Sequence, residues 1–417
     1  MPGPLEGIRI IDLTRILSGP FCTMLMADLG ADVIKVEQPV TGDPARGNGP
    51  FLSPPESTED SNQYSTYFMS INRGKRSIAI DLSKSDGREI LLQLIDSADV
   101  LIENFRPGTI ERLGLGYETV KARNPKIIMA SISGFGQTGP YAHRPALDVI
   151  VQGMGGMLSI TGEPGRGPVR PGASIGDITA ALFTTIAIES ALLERNQSNE
   201  GQYIDVSMLD CQVSIMENAF MRYFALGQIP ERIGTRHPSS TPFQAFETSD
   251  GHVVVAIMGG STDQWPLFCA AIDRVDLIDD QRYLTGWGRT QNYDELIPII
   301  EQAMKAKTTI EWVEILSEMG VPVGPVQNIE QVANDPQVNH RDMFISMDHP
   351  SIGPVKFTGN PLKFSRTPVV PEALVIMAKA YRILEMEDLA KDAVRVLKLN
   401  YPNHPGIYEV EEELEIK

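Results

Sequence analysis

Short continuous apolar runs alternate with stretches of helical period along this 417-residue chain, and that alternation predicts an α/β fold. Ile8–Leu13 is the first such run, and it leads into the turn Arg15-Ile16-Leu17-Ser18-Gly19-Pro20. A helix is predicted from about Phe21 to Leu29; Gly30 stops it, and Asp32–Val36 reads as a second strand. This strand, loop, helix, strand opening is that of a parallel, doubly wound sheet. Gly42–Tyr67, rich in Pro, Ser, Gly and Asn, reads as a long loop of the kind that borders active sites. Next come a basic turn feeding a strand (Asn72–Leu82), a helix (Gly87–Ser97) and two strands ending in polar or glycine loops (Ala98–Gly108 and Lys126–Pro140). From Ile178 onward Ala, Leu, Phe and Ile recur at helical spacing for about four or five turns.

Later in the chain the pattern changes. Residues from about Glu217 to Ser240 read as a helical connector ending in a polar break, and Thr248–Ala256 as a hairpin strand. Thr290–Met304 and Thr309–Met319 are amphipathic, and with Gly320–Asn328 they predict a smaller α+β domain. The expected organisation is a large parallel-sheet domain over 1–216, a connector and small domain over 217–335, and a return to the large domain with an acidic tail over 336–417. Trp265, Trp287 and Trp312 are expected to anchor cores.

Charge narrows the partners. Lys+Arg number 36 against 54 Asp+Glu, a net charge of −18, which argues against nucleic acid or an anionic membrane surface. No apolar run approaches a membrane span, and the N-terminus lacks a signal-peptide layout. Cys22, Cys211 and Cys269 lie far apart, as expected of a reducing cytoplasm rather than of a disulfide framework or zinc site. The six histidines, among them His143, His237 and His252 in polar turns, show no metal-ligand spacing, so no metal is expected.

One carboxylate stands out. Asp177 follows a glycine-rich loop and heads the long apolar helix, where unpaired N–H groups and the helix dipole favour an ionised carboxylate. Such a group can act as a nucleophile, although aspartate is also an ordinary N-cap. Gly172 and Gly176, which lack a Cβ, allow backbone to approach a ligand there. Two basic clusters, Arg73 with Lys75 and Arg76, and Arg106 with Arg112, suit a phosphate-bearing ligand. Glu37 ends the second strand where a dinucleotide-binding protein holds a ribose, but the first turn lacks GxGxxG, so no nicotinamide cofactor is expected.

The stretches LEGIRIIDLTRILSGPFCTMLMADLGADVIKVE, NRGKRSIAIDL, ADVLIENFRPGTIERLGLGYE, SISGFGQTGP, RPGASIGD and EGQYIDVSMLD, taken together, resemble the class III CoA-transferases, a family that includes formyl-CoA transferase and α-methylacyl-CoA racemase. The resemblance runs from about Leu5 to about Arg366, and the chain departs from it after Val370. It implies coenzyme A and acyl-CoA as substrates, with the family's nucleophilic aspartate at Asp177. It places CoA contacts at Arg15, Ile16, Leu17, Ser18, Gln38, Ile80, Asp81, Leu82, Ser83, Asn104, Phe105, Arg106 and Arg112. Arg144, Pro145, Ala146, Leu147 and Asp148 match a segment lining the acyl pocket. Gly259 and Gly260, or Gly172 and Gly176, are candidate oxyanion donors. Gln38 stands where a basic residue is common. Glu247 matches a position lining the site in racemases, although a strand-edge carboxylate is the simpler reading.

The implied reaction moves CoA from a donor thioester to a carboxylic acid through an aspartyl anhydride and an aspartyl-CoA thioester, with succinate-type dicarboxylates suited to Arg144. The Gly42–Tyr67 loop is a candidate lid. The family fold implies a Rossmann-like large domain and an interlocked dimer, with a copy of itself or a related subunit as partner. The alternative within the family is a 2-methylacyl-CoA racemase, which needs two proton-transfer groups, and Leu147 stands where those racemases carry histidine. A non-catalytic CoA-binding subunit is the third reading, against which Asp177 counts.

Overall fold

A computed structural model describes residues 3–54, 63–258 and 264–365, together with 390, 391, 393–395 and 410. The chain divides into two compact units, one of Met1–Ala146, Asp177–Cys211 and Ile345–Lys417, the other of Leu147–Gly176 and Gln212–Phe344. Segment 147–176, which the sequence pattern assigns to the large domain, therefore belongs to the second unit.

The first unit is built on a parallel sheet. Its strands are β1 (Arg9–Asp12) and β2 (Asp32–Glu37), then, after a short antiparallel pair of β3 (Phe51–Leu52) with β4 (Tyr64–Ser65), β5 (Arg76–Ala79), β6 (Val100–Glu103), β7 (Ile128–Ser133) and β8 (Tyr203–Ser207). The six-stranded order is β5-β2-β1-β6-β7-β8, and every neighbouring pair is parallel. Strands β6 and β7 are buried at every residue, as a sheet covered on both faces requires. On one face Ile11, Leu101 and Met129 pack with Leu91 and Ile95 of helix Ser85–Ile95. The expected long loop is partly ordered: it holds a 3₁₀ turn (Pro44–Gly47), the β3–β4 pair and the start of helix Thr66–Asn72. Its residues 55–62, and with them part of the candidate lid, lie outside the described residues.

Chain order and strand order diverge at one place. From β1 the chain adds β2 and β5 on one side, then β6, β7 and β8 on the other. The ends of β1 and β6 therefore flank a crevice that no crossover covers, which is where open α/β sheets take ligands.

Helix Ile175–Ser198 joins β7 to β8 and starts two residues before Asp177. Within the first unit its Ala180, Ala181, Thr184, Ile188, Ala191 and Leu192 are buried, a helical stripe. Leu182, Phe183, Ile186 and Leu193 on other faces are exposed. The helix is thus apolar nearly all round. At 24 residues and mean hydropathy 1.4 it is long and apolar enough to cross a membrane, contrary to the run-length expectation, with half of that window buried within the protein.

The second unit carries an antiparallel sheet of β9 (Phe243–Glu247), β10 (His252–Ala256) and β11 (Val323–Pro325), in the order β11-β10-β9. Phe246, Val253 and Val255 of the sheet pack with Trp265, Phe268 and Trp312. The helix expected over Thr290–Met304 breaks at Asn292 into Gly286–Gln291 and Tyr293–Met304. Trp287, expected in a core, is 58% exposed; Arg289 takes the inward place on its short helix, its guanidinium 4.8 Å from the Trp265 ring. Glu247 is an exposed strand-end carboxylate paired with Lys305 at 2.7 Å. The chain then forms a two-stranded ribbon, β12 (Phe344–His349) with β13 (Gly353–Thr358). Cys22, Cys211 and Cys269 are buried, unbridged thiols, and burial pushes Cys22 up to about 12 and Cys211 up to about 11.

Candidate active site

Parallel strands end on one edge of a sheet, and the first unit brings most of the candidate residues to that edge. Arg15–Ser18 follow β1, Gln38 follows β2, Ile80–Ser83 follow β5, and Asn104–Arg106 follow β6. Across the crevice between β1 and β6, Asn104 grips the first turn: its Oδ1 accepts the Arg15 N–H at 2.8 Å, and its Nδ2 donates to the Arg15 carbonyl at 2.8 Å. The Arg15 guanidinium lies 5.0 Å from the Phe105 ring centroid, a cation–π contact. Leu17 and Ser18 are buried, whereas Arg15, Gln38, Ser83, Arg106 and Arg112 are exposed. Asp81 closes its own turn by accepting from the Ser83 N–H at 3.0 Å and hydroxyl at 2.6 Å, with Ile80 and Leu82 buried on either side.

The two basic clusters differ in how far they are already paired. Arg73 makes a forked pair with Asp28 (3.1 and 2.6 Å), Lys75 is buried on Asp12 at 3.2 Å, and Arg76 pairs with Asp32 at 2.6 Å. Arg73 and Lys75 are thus spent inside the fold, whereas Arg76 is paired on the surface with its side chain 64% exposed. Arg106 and Arg112 are exposed in the stretch that follows β6, Arg112 donating to the Thr109 hydroxyl at 2.9 Å. Glu37 is likewise committed. It accepts from Arg46 at 2.7 and 2.8 Å, from the Ser77 hydroxyl at 2.6 Å and from the Asp43 N–H at 2.9 Å. Burial opposes its ionisation, yet these donors hold its carboxyl down at about 2.

Asp177 is half-buried in the first turn of its helix, three residues in rather than at the cap. The residue before it is fixed from elsewhere. Asp148 is the first residue of the helix Asp148–Met154, and its Oδ1 accepts the Gly176 N–H at 2.8 Å. Its other contacts come from Arg170 (Nε 3.2 Å, Nη2 2.8 Å) and Gln152 (2.8 Å to each oxygen). Asp148 is 8% exposed. Both of its oxygens are thus engaged by donors of the same unit. The Gly176 N–H is used in this contact, and a Cβ there would meet Val151 at 2.8 Å. Gly172 is exposed with open space beside it, and Gly259 and Gly260 lie outside the described residues. In the acyl segment Arg144 is exposed and stacked 3.9 Å over Tyr141, followed by exposed Pro145, half-buried Ala146 and Leu147, 69% exposed.

Beside this edge opens a cavity of about 620 Å³, lined by Pro107, Glu111, Gln137, His143 and Tyr203 among others. Close to Glu111 lies Glu103, the last residue of β6, which the sequence reading passed over although a carboxylate inside the run VLIEN was a signal. Its Oε2 accepts the Phe105 N–H at 2.7 Å, so it shapes the turn that carries Asn104 and Arg106. Burial pushes Glu103 up to about 7, against the Phe105 N–H and the nearby Ser131 hydroxyl, and the Glu111 and Asp205 carboxylates add to the rise. A carboxyl raised in the native state contributes stability that is full below its ordinary value near 4.5 and is lost as pH climbs through 7. Unfolding free energy should therefore fall by about 3 kcal/mol between pH 4.5 and 8 from this group. Urea titrations should show Glu103→Gln flattening that slope, and an unchanged slope would rule the group out as its source.

The sequence profile of CoA-transferase family III matches residues 5–374. Succinyl-CoA:glutarate CoA-transferase of Mus musculus is 39% identical over 363 residues, 87% of this chain and 81% of that protein. Acetyl-CoA:oxalate CoA-transferase of Acetobacter aceti is 40% identical over 364 residues, 87% of this chain and 90% of that one. Among solved structures, a CAIB/BAIF family protein from Brucella suis superposes with a TM-score of 0.76 at 38% identity, covering 88% of this chain and 94% of its own. With its parallel sheet, its crevice at the strand ends and these relatives, the chain belongs to CoA-transferase family III and is a CoA-transferring enzyme.

Proposed function

We propose that this enzyme moves CoA from an acyl-CoA to a dicarboxylic acid, with Asp177 as the covalent carrier. The observation that supports it best is the helix start that sets Asp177 in an N-terminal turn, where the dipole favours its ionised form. An Asp177 oxygen attacks the donor thioester carbonyl, the C–S bond breaks, and CoA thiolate leaves a mixed anhydride. The thiolate attacks the aspartyl carbonyl and releases the donor carboxylate, giving an aspartyl-CoA thioester. The acceptor carboxylate displaces the thiolate again, and thiolate attack on the acceptor's acyl carbon yields product and free Asp177. In this reading Arg15, Arg106 and Arg112 meet the CoA phosphates, and Asn104 holds the turn beside the pantetheine.

The dicarboxylate part rests on the relatives' substrates, glutarate and oxalate, and on the exposed Arg144, whose fork suits a second carboxylate. With succinyl-CoA as donor, dicarboxylates should exceed monocarboxylates of equal length by at least about tenfold in kcat/KM, one charge-assisted contact. Mass spectrometry of the CoA esters reads this, and equal turnover of both classes would remove the preference. In D₂O no deuterium should enter the α-position of a 2-methylacyl-CoA, since Leu147 carries no proton and Asp148 is saturated.

A second copy of the chain is the proposed partner. Leu182, Phe183, Ile186 and Leu193 present an apolar face on the helix that carries Asp177, and in the second unit Met221, Phe224 and Ile229 are exposed too. Sedimentation should give a dimer for the wild type and a lighter species for Phe183→Asp with Ile186→Glu. A monomeric wild type would defeat the proposal, and a need for a second polypeptide would replace it with a heteromer.

A further inference from the structure

Three consecutive amides in the turn after β1 are all satisfied by side chains, and each acceptor comes from a different place in the first unit. The Thr14 N–H goes to Asp12 Oδ1 (2.8 Å), the Arg15 N–H to Asn104 Oδ1 (2.8 Å), and the Ile16 N–H to Asp43 Oδ1 (3.1 Å). Ile16 has φ +67°, a left-handed conformation that a β-branched residue adopts only when its surroundings impose it. Asp43 is what reaches it. Asp43 is 2% exposed, far too buried to touch a substrate itself.

Asp43 is in turn tied to its neighbours through its Oδ1 and its own amide, with its Oδ2 facing a buried ammonium. Its Oδ1 also accepts the Ala45 N–H at 2.9 Å, capping the 3₁₀ turn Pro44–Gly47. Its own N–H donates to Glu37 Oε2 at 2.9 Å, and Glu37 is pinned by Arg46 and Ser77. Its Oδ2 lies 2.9 Å from the Lys35 ammonium, both side chains 1% exposed, and Lys35 donates onward to the Thr14 carbonyl at 2.7 Å. Asp43 and Lys35 thus grip both ends of the same short segment, one through an amide and the other through a carbonyl.

We propose that Asp43 is a positioning residue for CoA binding: it straps Ile16 into the left-handed conformation and so fixes the Arg15–Ser18 turn. The inference rests on the reading that this turn takes CoA. Nothing in the reaction requires Asp43 to move a proton or bond to substrate. Its effect is to pre-pay the ordering of a turn that would otherwise relax to an extended or helical conformation. Loss of the strap should weaken the affinity common to all CoA esters and leave the chemical steps alone.

Asp43→Ala should raise KM about tenfold for every acyl-CoA tested, the size of one lost hydrogen bond with its desolvated partner, and leave kcat within about threefold. Hydrogen exchange in the peptide spanning 13–20 should quicken. Asp43→Asn with Lys35→Met keeps an acceptor oxygen on the Ile16 amide without leaving a buried ammonium unpaired, and it should hold KM and exchange closer to wild type than Asp43→Ala with Lys35→Met. Ile16→Gly, which enters the left-handed region without a strap, should recover part of the KM lost in the Asp43→Ala background. If Asp43→Ala fails to fold around its orphaned lysine, Lys35→Met with Asp43→Ala replaces it. Unchanged exchange in 13–20 overturns the strap, as does a fall in kcat without a change in KM. Faster exchange with unchanged KM instead overturns the premise that this turn takes CoA, and the proposal with it.

Discussion

Asp177→Asn is expected to lose CoA transfer by roughly four orders of magnitude or more while CoA binding and secondary structure persist. The asparagine side chain is nearly isosteric and fits the first turn of the helix, so the change removes the anionic oxygen and little else. Asp148 in the second unit has its oxygens on the Gly176 amide, Arg170 and Gln152. Wild type incubated with donor and then hydroxylamine or borohydride should carry the modification on Asp177 alone, located by peptide mass mapping. A label on any other carboxylate, or more than about one-hundredth of the activity surviving in Asp177→Asn, would discard the assignment.

The second large effect concerns stability. Asp12, at the end of β1, is fully buried; its oxygens take the Thr14 amide, the Thr14 and Thr23 hydroxyls and the Lys75 ammonium. Burial alone would raise its pKa, but Lys75 and Lys35, with those hydroxyls, hold it well below the usual carboxylate range. Burial pulls Lys75 down to about 8 against the attraction of Asp12, so the pair is ionised at neutral pH. Removing one member strands the other in a dry interior, which costs about 3–5 kcal/mol. Asp12→Ala should therefore lose that much in urea unfolding, and Asp12→Ala with Lys75→Met should lose clearly less than the single change. A cost under about 1 kcal/mol for Asp12→Ala would mean that water already reaches the pair.

Strand and helix positions were legible because the apolar runs of a doubly buried sheet and the stripe of a packed helix are local patterns. β6 and β7 lie inside the runs that announced them, and β2 ends within a residue of its expected place. Partnership was not legible. Arg73, Lys75 and Arg76 look like a phosphate cluster in sequence, but their carboxylates, Asp28, Asp12 and Asp32, lie 44 to 63 residues away. Asp148 shows the same limit: its proximity to an apolar helix was visible, whereas its hold on Gly176 across 28 residues was not. Asp43 and Lys35 had signals that could have been weighed, an aspartate directly before a proline as a capping residue and a lysine in the middle of the buried run DVIKVE.

Two of the three thiols give the enzyme its own unfolding reporters. Cys22 sits in the core of the first unit and Cys269 in that of the second, both fully buried. A thiol reagent in the native state meets neither, and Cys22, pushed up to about 12, has almost no thiolate to offer. Reagent reaches each sulfur only when its own unit opens, so the labelling rate at Cys22 and at Cys269 measures the two opening free energies separately in one sample, without any engineered probe.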